Sequence, residues 1–476
     1  MSFFLGIDLG TTYFKAGIFD ETGKLFGLGR YPVKKNTAGG NICELDVEVF
    51  WKTLNLSIRK AIKEADISPK QIRALSYSSQ ANSFILLDEF DNPLTSLILW
   101  SDERVVGESV RLKEFLLGED FLYKTGLGIS PGRHSLIAKV NWFQSQQPHV
   151  WKKVRHIMSI SDYLVFILTG NRISDMSTSS MTGLLNVQEG QWWRDALDTF
   201  HIDEKQLSTL FNVGIQMGNL SERGTRLIGL SAGALIFSGG LDHHMVAIGA
   251  GIPYSGNISE STGTVLACVN CQNEYKPRAG VNIARGLDDS HYFQMAFASN
   301  GATALDWYRS NYAPELSVPA LLAMAEKVVP GCEGVVAKPS ANEYEGLKGF
   351  TGVNGDHMHA HFVRAILEST SLSLGELIDD LDRSHTRAII PSGGGARSRL
   401  WLQIKADMLN RTFLLPESGE LACKGAAMLC MVGMSCFKDM DEAIENQKIC
   451  KEIIHPNPVQ VEKYKHWYND IKNQFL

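Results

Sequence analysis

Two distant segments of the chain have the same build: an apolar run, a short turn of glycine and threonine, and a second apolar run. The first segment, GIDLGTTYFKAGIFDETG, covers residues 6–23, and the second, GNISESTGTVLACVN, covers residues 256–270. Runs of β-branched and aromatic residues on both sides of a glycine turn predict a β-hairpin. Because a chain of 476 residues is too long for one hydrophobic core, the repeat predicts two α/β domains of similar build.

The order of the remaining segments predicts where the first domain ends. Residues 46–65, DVEVFWKTLNLSIRKAIKEA, have apolar residues at helical spacing behind a capping aspartate. Strands and helices then alternate until the pattern begins again at residues 234–251, ALIFSGGLDHHMVAIGAG, which indicate a strand, a glycine turn and a helix. We therefore predict domains at residues 1–235 and 236–476, with a cleft between them.

Three turns have the composition of a phosphate-binding site. They are DLGTT at residues 8–12, STGT at residues 261–264 and SGGGARS at residues 392–398. Glycine lets the backbone approach a ligand closely, and the N–H groups of such turns, with threonine or serine hydroxyls, can bind phosphate oxygens. The sequence has neither the GxxxxGK[ST] motif of a P-loop nor a strand–GxGxxG–helix unit, which argues against those two nucleotide-binding folds.

Composition argues against several classes of partner. Hydrophobic residues make up 44% and charged residues 21% of the chain, and the net charge is −6. These values are typical of an ordinary globular protein and not of one that binds nucleic acid or an anionic membrane. We expect no signal peptide, since the N-terminus lacks its pattern, and no apolar stretch approaches the ~20 residues of a membrane span. The eight cysteines are scattered, which favours reduced thiols and a cytoplasmic protein.

Several longer stretches carry a resemblance to a known family. They include GIDLGTT, ILWSDER (98–104), SGGLDHH (238–244), STGTV (261–265), SNGATALDWY (299–308) and SGGGARSRLWLQIKADMLNR (392–411). On these stretches the chain resembles the FGGY carbohydrate kinases, which belong to the superfamily of actin, sugar-kinase and heat-shock-chaperone ATPases. The resemblance implies an α/β fold of two ribonuclease-H-like (actin-like ATPase) domains around a central cleft. It also implies that the N-terminal domain mainly binds the sugar, that the C-terminal domain mainly binds ATP with Mg²⁺, and that the protein forms a homodimer, as family members often do.

The resemblance further implies roles for individual residues. Asp242, in SGGLDHH, corresponds to the general base that accepts the proton of the sugar hydroxyl, although an aspartate there is also a suitable helix cap. Asp8 is expected near the phosphates and near Mg²⁺, which it would hold through water because Mg²⁺ dehydrates reluctantly. The residues expected to contact the nucleotide are Asp8, Thr11, Thr12, Gly263, Thr264, Gly301, Gly394, Gly395 and Arg399.

The sugar is expected to contact two stretches, SSQANS at residues 78–83 and WSDER at residues 100–104, and the first histidine after Asp242. The expected substrate-contacting residues are Gln80, Asn82, Asp102, Arg104 and His243. Ala81-Asn82 stands where glycerol kinases have Arg-Glu, which argues against glycerol, and where xylulokinases usually have Met-His. SSQANS offers no basic residue to a sugar acid, so a neutral open-chain ketose or related polyol, and a xylulokinase-like activity, are favoured.

Alternative functions stay open at this point. Within the resemblance, the chain is also compatible with a gluconokinase-like enzyme or with a kinase for ribulose, fuculose or rhamnulose. Outside enzymes, the same fold is used by ATP-gated sugar sensors and by actin-like assembly proteins. Asp242 and the WSDER stretch argue against an assembly protein, which needs neither a base nor a sugar-side loop. Sugar-responsive repressors of the superfamily append a helix-turn-helix, which we do not expect here because the sequence opens with the first hairpin.

Overall fold

The computed structural model of the chain describes residues 2–37, 40–263, 265–299, 301–338, 349–384, 386–447 and 450–475. The strands are β1 Phe3–Leu9, β2 Tyr13–Asp20, β3 Leu25–Pro32, β4 Glu44–Leu45, β5 Ile72–Ser79, β6 Phe84–Leu87, β7 Leu97–Ile98, β8 His156–Ser159, β9 Ile173–Asp175, β10 Leu185–Asn186, β11 Gln191–Trp192, β12 Thr209–Phe211, β13 Gln216–Asn219, β14 Leu235–Phe237, β15 Gly240–Leu241, β16 Ile258–Thr262, β17 Leu266–Gln272, β18 Asn282–Arg285, β19 Tyr292–Ala298, β20 Val336–Ala337, β21 Phe350–Thr351, β22 Ile389–Gly393, β23 Phe413–Pro416 and β24 Cys450–Ile454.

The α-helices are α1 Val47–Ala65, α2 Val110–Leu116, α3 Glu119–Thr125, α4 Leu136–Gln146, α5 Pro148–Trp151, α6 Ile160–Thr169, α7 Met176–Ser179, α8 Arg194–Thr199, α9 Glu222–Ile228, α10 Asp242–Gly249, α11 Ile252–Ser255, α12 Thr303–Tyr312, α13 Val318–Ala325, α14 His359–Leu381, α15 Arg399–Leu409, α16 Leu421–Gly433, α17 Met440–Glu445 and α18 Pro458–Phe475. Short 3₁₀ turns occur at Pro69–Gln71, Gly132–His134, Glu204–Gln206, Cys332–Gly334 and Gly395–Arg397. In the ranges described, no helix has both the length and the apolar character that crossing a membrane requires.

The chain forms two compact units. Unit 1 comprises Met1–Tyr254, Cys271–Gln294 and Glu420–Gln447, and unit 2 comprises Ser255–Asn270, Met295–Gly419 and Lys448–Leu476. The α/β class predicted from the sequence is confirmed, since each unit combines a sheet with helices. The boundary at residue 235, which was placed by the pattern of segments, stays a prediction.

The main sheet of unit 1 is built on the predicted hairpin. β2 pairs antiparallel with both β1 and β3, β1 lies parallel to β5, and β5 lies parallel to β14 and β15. All seven residues of β1 are buried, as expected for a strand that is covered on both faces. The carboxyl ends of β1, β5 and β15 therefore meet at one edge of the sheet.

Helix α1 covers this sheet because its apolar residues recur at helical spacing. Phe50, Leu54, Ile58 and Ala61 form its fully buried stripe. The carboxylate of Asp46 accepts hydrogen bonds from the N–H groups of residues 48 and 49, so the predicted cap is confirmed.

In unit 2 the second predicted strand–turn–strand segment forms β16 and β17, which pair antiparallel. β16 also lies parallel to β22, and β22 lies parallel to β23, whose other edge pairs with β24. The core of this unit lies among α12, α13, α14 and α15. As a result, the turn after β16 and the glycine turn after β22 lie at the same edge of the unit 2 sheet.

Candidate active site

Two aspartates lie at the edge of the unit 1 sheet where three parallel strands end. Asp8 on β1 is level with Ser78 on β5, and Ser78 is level with Gly240 on β15. Asp242 follows β15 directly as the first residue of α10. In sheets of this kind, ligands bind beyond the carboxyl ends of the strands, so this edge is the candidate active site.

Asp8 is a buried carboxylate with two partners. The hydroxyl of Ser78 donates to its Oδ1 at 3.1 Å, and the Nζ of Lys15 lies 3.3 Å from its Oδ2. Lys15 also lies 2.9 Å from Oε2 of Glu420. The pKa of Asp8 is raised, because burial and the charge of Asp242 outweigh the Lys15 ammonium and the Ser78 hydroxyl, which lower it. The charges of Asp8 and Asp242 therefore interact, and Asp8 is the buried member of the pair.

Asp242 is the more accessible of the two. Its side chain is 37% exposed, and its Oδ1 accepts a hydrogen bond of 2.8 Å from the backbone N–H of His243. The imidazole Nε2 of His243 lies 4.0 Å from the same oxygen. An exposed carboxylate at the edge of the sheet can accept a proton from a hydroxyl that is brought to it.

The WSDER stretch is held by a buried ion pair. The guanidinium of Arg104 donates to Asp102 at 2.7 and 2.9 Å and to Glu44 at 2.5 Å, and the N–H of Cys43 donates to Asp102 at 2.7 Å. Burial alone would raise the pKa of Asp102, but the hydrogen bonds from Arg104 and Cys43 outweigh it and lower the pKa. Both residues that the sequence assigns to substrate thus brace the stretch; their contact with a sugar stays a prediction.

Gln80 and Asn82 also direct their amides into the protein. The amide of Gln80 donates to the carbonyl of Leu9 at 3.1 Å and accepts from the hydroxyl of Ser83 at 2.8 Å. Asn82, at a positive φ of 57°, donates to the carbonyl of Met181 at 3.1 Å and accepts from the N–H of residue 136 at 3.0 Å. These bonds fix the turn after β5, and a substrate contact at either residue stays a prediction.

Thr11 in the first glycine turn is joined to the WSDER stretch. Its hydroxyl accepts a hydrogen bond of 2.9 Å from the indole N–H of Trp100, whose backbone N–H donates to Ser83 at 2.8 Å. Thr12 is exposed. The turn that was expected to contact phosphate is therefore tied to the stretch that was expected to contact sugar.

Sequence reasoning missed Lys139, which lies on α4 with no exposed surface. Its ammonium donates to the carbonyls of Leu99 and Trp100, each at 2.9 Å, and of His134 at 3.1 Å. Burial lowers the pKa of Lys139 to about 7. A lysine inside the apolar run LIAKVNWF was the available signal, because buried lysines need partners.

The glycines expected to contact nucleotide lie together in unit 2. The carbonyl of Gly263 accepts from the N–H of Ala302 at 2.7 Å, and a Cβ on Gly301 would lie 2.3 Å from the same carbonyl oxygen. Gly394 and Gly395 begin the 3₁₀ turn after β22, and a Cβ on Gly395 would lie 2.8 Å from the side chain of Thr262. Thr264 lies outside the described residues. The packing therefore leaves no room for a side chain at Gly301 or Gly395, whereas Gly263 and Gly394 have space for a Cβ.

Arg399, the remaining expected nucleotide contact, begins α15 and is half-exposed; its Nε lies 3.1 Å from Glu452.

Behind the glycines lies a buried polar triad that sequence reasoning also missed. Lys405 donates to Glu260 at 2.7 Å and to the hydroxyl of Thr262 at 2.6 Å, and Thr262 donates to Glu260 at 2.7 Å. The triad fixes the end of β16 immediately before Gly263.

The donors near Asp8 suit a weakly held Mg²⁺. Across the ranges that the structure describes, no cluster of three or more His, Cys, Asp or Glu side chains could hold a metal ion. Mg²⁺ commonly uses one or two carboxylates, retained waters and the phosphates of its substrate. Asp8, with Asp242 near enough to affect its pKa, fits that pattern.

Comparison with known proteins identifies what this arrangement resembles. The profile "FGGY family of carbohydrate kinases, N-terminal domain" matches residues 3–249, and the corresponding C-terminal profile matches residues 262–434. The chain is 27% identical to the xylulose kinase of Staphylococcus epidermidis over 98% of this chain and 95% of that protein. It is 28% identical to the gluconokinase of Bacillus subtilis over 90% of this chain and 87% of that protein.

Solved structures give the same fold. The ligand-bound xylulose kinase from Lactobacillus acidophilus superposes with a TM-score of 0.88 at 22% identity, covering 100% of this chain and 98% of that one. The xylulose kinase from Rhodospirillum rubrum gives a TM-score of 0.87 at 24% identity, covering 99% and 98%. The predicted fold class, α/β with two actin-like ATPase domains, is confirmed.

Proposed function

The chain belongs to the FGGY family of carbohydrate kinases, and we propose that it phosphorylates a hydroxyl of an open-chain ketose, with xylulose as the first candidate and Asp242 as the general base. Family membership makes it an ATP-dependent sugar kinase. What we propose is the identity of the sugar that accepts the phosphoryl group and the residue that acts as the base. The observation that carries it is the position of Asp242, an exposed carboxylate at the carboxyl end of β15 beside the buried Asp8.

Phosphoryl transfer needs no covalent bond to the protein, which mainly positions the reactants and neutralises charge. As the sugar oxygen forms its bond to the γ-phosphorus and ADP leaves, the hydroxyl proton passes to a carboxylate oxygen of Asp242. Mg²⁺, held through water by Asp8, would neutralise phosphate charge. Lys15 keeps a positive charge beside Asp8 because the carboxylates of Asp8 and Glu420 raise its pKa against the effect of burial. The glycines of unit 2 let the backbone approach the nucleotide.

A neutral acceptor agrees with the charges around the WSDER stretch. A cation gives the strongest hydrogen bonds to the carboxylate of a sugar acid, but Arg104 is already paired with Asp102 and Glu44. Lys139 donates to backbone carbonyls and is buried. These partners favour a ketose over gluconate. The names of the relatives include both xylulose kinase and gluconokinase, so gluconate is the second candidate, followed by ribulose, fuculose and rhamnulose.

A coupled assay of ADP formation tests the proposal with xylulose, ribulose, fuculose, rhamnulose, gluconate and glycerol. Each acceptor is run with the wild type, with Asp242→Asn and with Asp198→Asn, a control at an exposed aspartate that pairs with Arg194. We expect the highest kcat/KM with xylulose, a loss of about 10²–10⁴-fold in kcat for Asp242→Asn, and no change for Asp198→Asn. Full activity of Asp242→Asn would rule out the base, and preference for gluconate would rule out the neutral acceptor.

Three further expectations remain predictions. They are the homodimer, the cytoplasmic location and the assignment of residues 1–235 to the sugar and residues 236–476 to ATP. Sedimentation velocity at several concentrations measures the first directly. The third is checked by hydrogen exchange with and without ADP, since protection by ADP should concentrate in the turns that contain Gly263 and Gly394.

A further inference from the structure

A buried serine and a buried histidine flank the residue that we propose as the base. Ser177 lies on α7 and His244 on α10, and neither has more than 1% of its surface exposed. The Oγ of Ser177 accepts a hydrogen bond of 3.0 Å from the backbone N–H of Leu241. The same Oγ lies 2.8 Å from Nδ1 of His244. One hydroxyl therefore binds the backbone before Asp242 and the side chain two residues after it.

From this geometry we infer that Ser177 and His244 are positioning residues that hold the carboxylate of Asp242 in place for proton transfer. The inference rests on the proposed function, since it concerns the base assigned there. Asp242 needs such support because the hydrogen bond described for its carboxylate comes from the N–H of His243, next to it in the chain. Its orientation is consequently set by the backbone from Leu241 to His244.

We infer the protonation of the pair from the partners of the Ser177 hydroxyl, for which Nδ1 of His244 is the acceptor among the described contacts. The Leu241 N–H occupies one lone pair of the Ser177 oxygen, and the hydroxyl has one proton to donate. Donation to Nδ1 requires a neutral His244 with its proton on Nε2, a tautomer that we assign from this network. Burial, together with the charge of His243, lowers the pKa of His244 to about 3, so the acceptor persists at neutral pH.

Neighbouring residues fix the positions of both Ser177 and His244. The ring of His244 stacks on that of Phe293, with centroids 4.6 Å apart and planes 18° apart. The helix that carries Ser177 is capped by Asp175, which accepts from Thr178 N–H at 2.6 Å and from the hydroxyl of Tyr77 at 3.0 Å. Tyr77 lies on β5, so the pair is tied to the strand beside Asp8.

Gly240 supplies an independent sign that this approach is close. A Cβ on Gly240 would lie 2.6 Å from the Ser177 oxygen and 2.9 Å from Cε of Met245. A glycine is therefore required for Ser177 to reach the Leu241 N–H. The sequence shows only two consecutive glycines before Asp242. The structure explains the second one, because any side chain at Gly240 would collide with Ser177.

The kinetic test compares Ser177→Ala and His244→Phe with His244→Asn and Ser179→Ala. His244→Phe keeps a ring against Phe293 and removes the acceptor, whereas the asparagine oxygen can replace Nδ1. Ser179, on the same helix, bonds Ser174 at 2.8 Å and serves as the matched control. With xylulose, or with the fastest acceptor of the panel, we expect Ser177→Ala and His244→Phe to lose about 10–10²-fold in kcat, as for a base displaced by ~1 Å. KM should stay within about threefold.

If Ser177 and His244 act by positioning Asp242, their substitutions should lower kcat only when Asp242 is present. In the Asp242→Asn background, Ser177→Ala should change kcat by less than about twofold, because residues that act as one unit are not additive. His244→Asn should recover most of the rate, and Ser179→Ala should keep it. Rates are divided by the folded fraction from circular dichroism. An undiminished Ser177→Ala with an inactive Asp242→Asn overturns the positioning role alone, whereas an active Asp242→Asn overturns the base and the positioning role together.

A spectroscopic measurement tests the network without a substrate, and it uses the variants only to assign the signal. In protein labelled with ¹⁵N-histidine, the His244 side chain should stay neutral with its proton on Nε2 at pH 5, where exposed histidines are protonated. His244→Asn assigns this signal by its loss, and Ser177→Ala should shift the Nδ1 resonance. A His244 that is protonated at pH 5, or whose proton is on Nδ1, refutes the network.

Discussion

Replacing Lys405 by methionine tests whether the buried triad behind Gly263, a proposed nucleotide contact, supports unit 2. In the wild type the Lys405 and Glu260 side chains have no exposed surface, and their charged atoms are 2.7 Å apart. The Thr262 hydroxyl closes the triad, accepting from Lys405 at 2.6 Å and donating to Glu260 at 2.7 Å. Methionine fills most of the same volume, so the change removes a charge rather than leaving a large cavity.

The magnitude follows from the burial of both partners. An intact buried pair contributes little net stability, because desolvation offsets its attraction, but removing one partner strands the other and costs ~3–5 kcal/mol. We expect Lys405→Met to lower the free energy of unfolding of unit 2 by that amount. Glu260→Gln combined with Lys405→Met should cost less than the sum of the two single changes, with a coupling of ~1–3 kcal/mol.

Hydrogen exchange in increasing urea measures this energy within unit 2, in peptides that cover β16 and α15. Lys451→Met, at an exposed lysine of β24, is the matched control and should change stability by less than ~0.5 kcal/mol. Because β16 ends immediately before Gly263, Lys405→Met should also raise KM for ATP more than KM for the sugar. A loss below ~1 kcal/mol, or additive effects in the double variant, would show that the pair is not coupled.

Three further changes address unit 1. Lys139→Met removes the donor to the carbonyls of the WSDER stretch and should raise KM for the sugar about 10-fold or more with KM for ATP unchanged, as measured by initial rates. Trp100→Phe removes the 2.9 Å hydrogen bond to Thr11 and should lower kcat/KM for both substrates about 3–10-fold, since it joins the two turns. Burial raises the pKa of Asp175 to about 7, so the folded protein binds this proton more tightly than the unfolded chain does. The stability that this proton contributes is full below about pH 4 and is lost as pH rises to about 7. Between pH 5 and pH 8 the loss is ~3 kcal/mol at 1.36 kcal/mol per pH unit. Asp175→Asn should abolish this part of the pH dependence, as measured by urea unfolding at the two pH values.

Local chemistry made much of the fold predictable. The β1–β3 hairpin, the Asp46 cap of α1 and the strand–turn–helix at residues 234–251 each follow from neighbours in sequence, so spacing and turn residues sufficed. The grouping of Gly263, Gly301 and Gly394 was implied by the resemblance to the FGGY kinases, in which the matching positions contact the nucleotide.

Side-chain partners were harder to predict, because they join positions far apart in the chain. The polar amides of Gln80 and Asn82 suggested ligand contacts, yet the structure gives them backbone carbonyls and N–H groups at residues 9, 136 and 181. Ser177 meets Leu241 across 64 positions. Ser177 lies in the stretch SDMSTSSMTG, and nothing in that sequence distinguishes it from the other serines. Only the fold shows which serine contacts Leu241.

The environments of Asp8 and Asp242 argue for the division of labour between them. Asp8 has a hydroxyl on one oxygen and an ammonium beside the other, and it is buried. Burial raises the pKa of Asp8, but Ser78 and Lys15 occupy its two oxygens, so a sugar hydroxyl would have to displace one of these partners to reach it. Asp242 has an exposed surface and a backbone donor that leaves an oxygen available. Two carboxylates whose surroundings differ this much are suited to different tasks. The buried one, tied to Lys15, suits the fixed electrostatics of phosphate and Mg²⁺, and the exposed one suits an acceptor that arrives and leaves in every turnover.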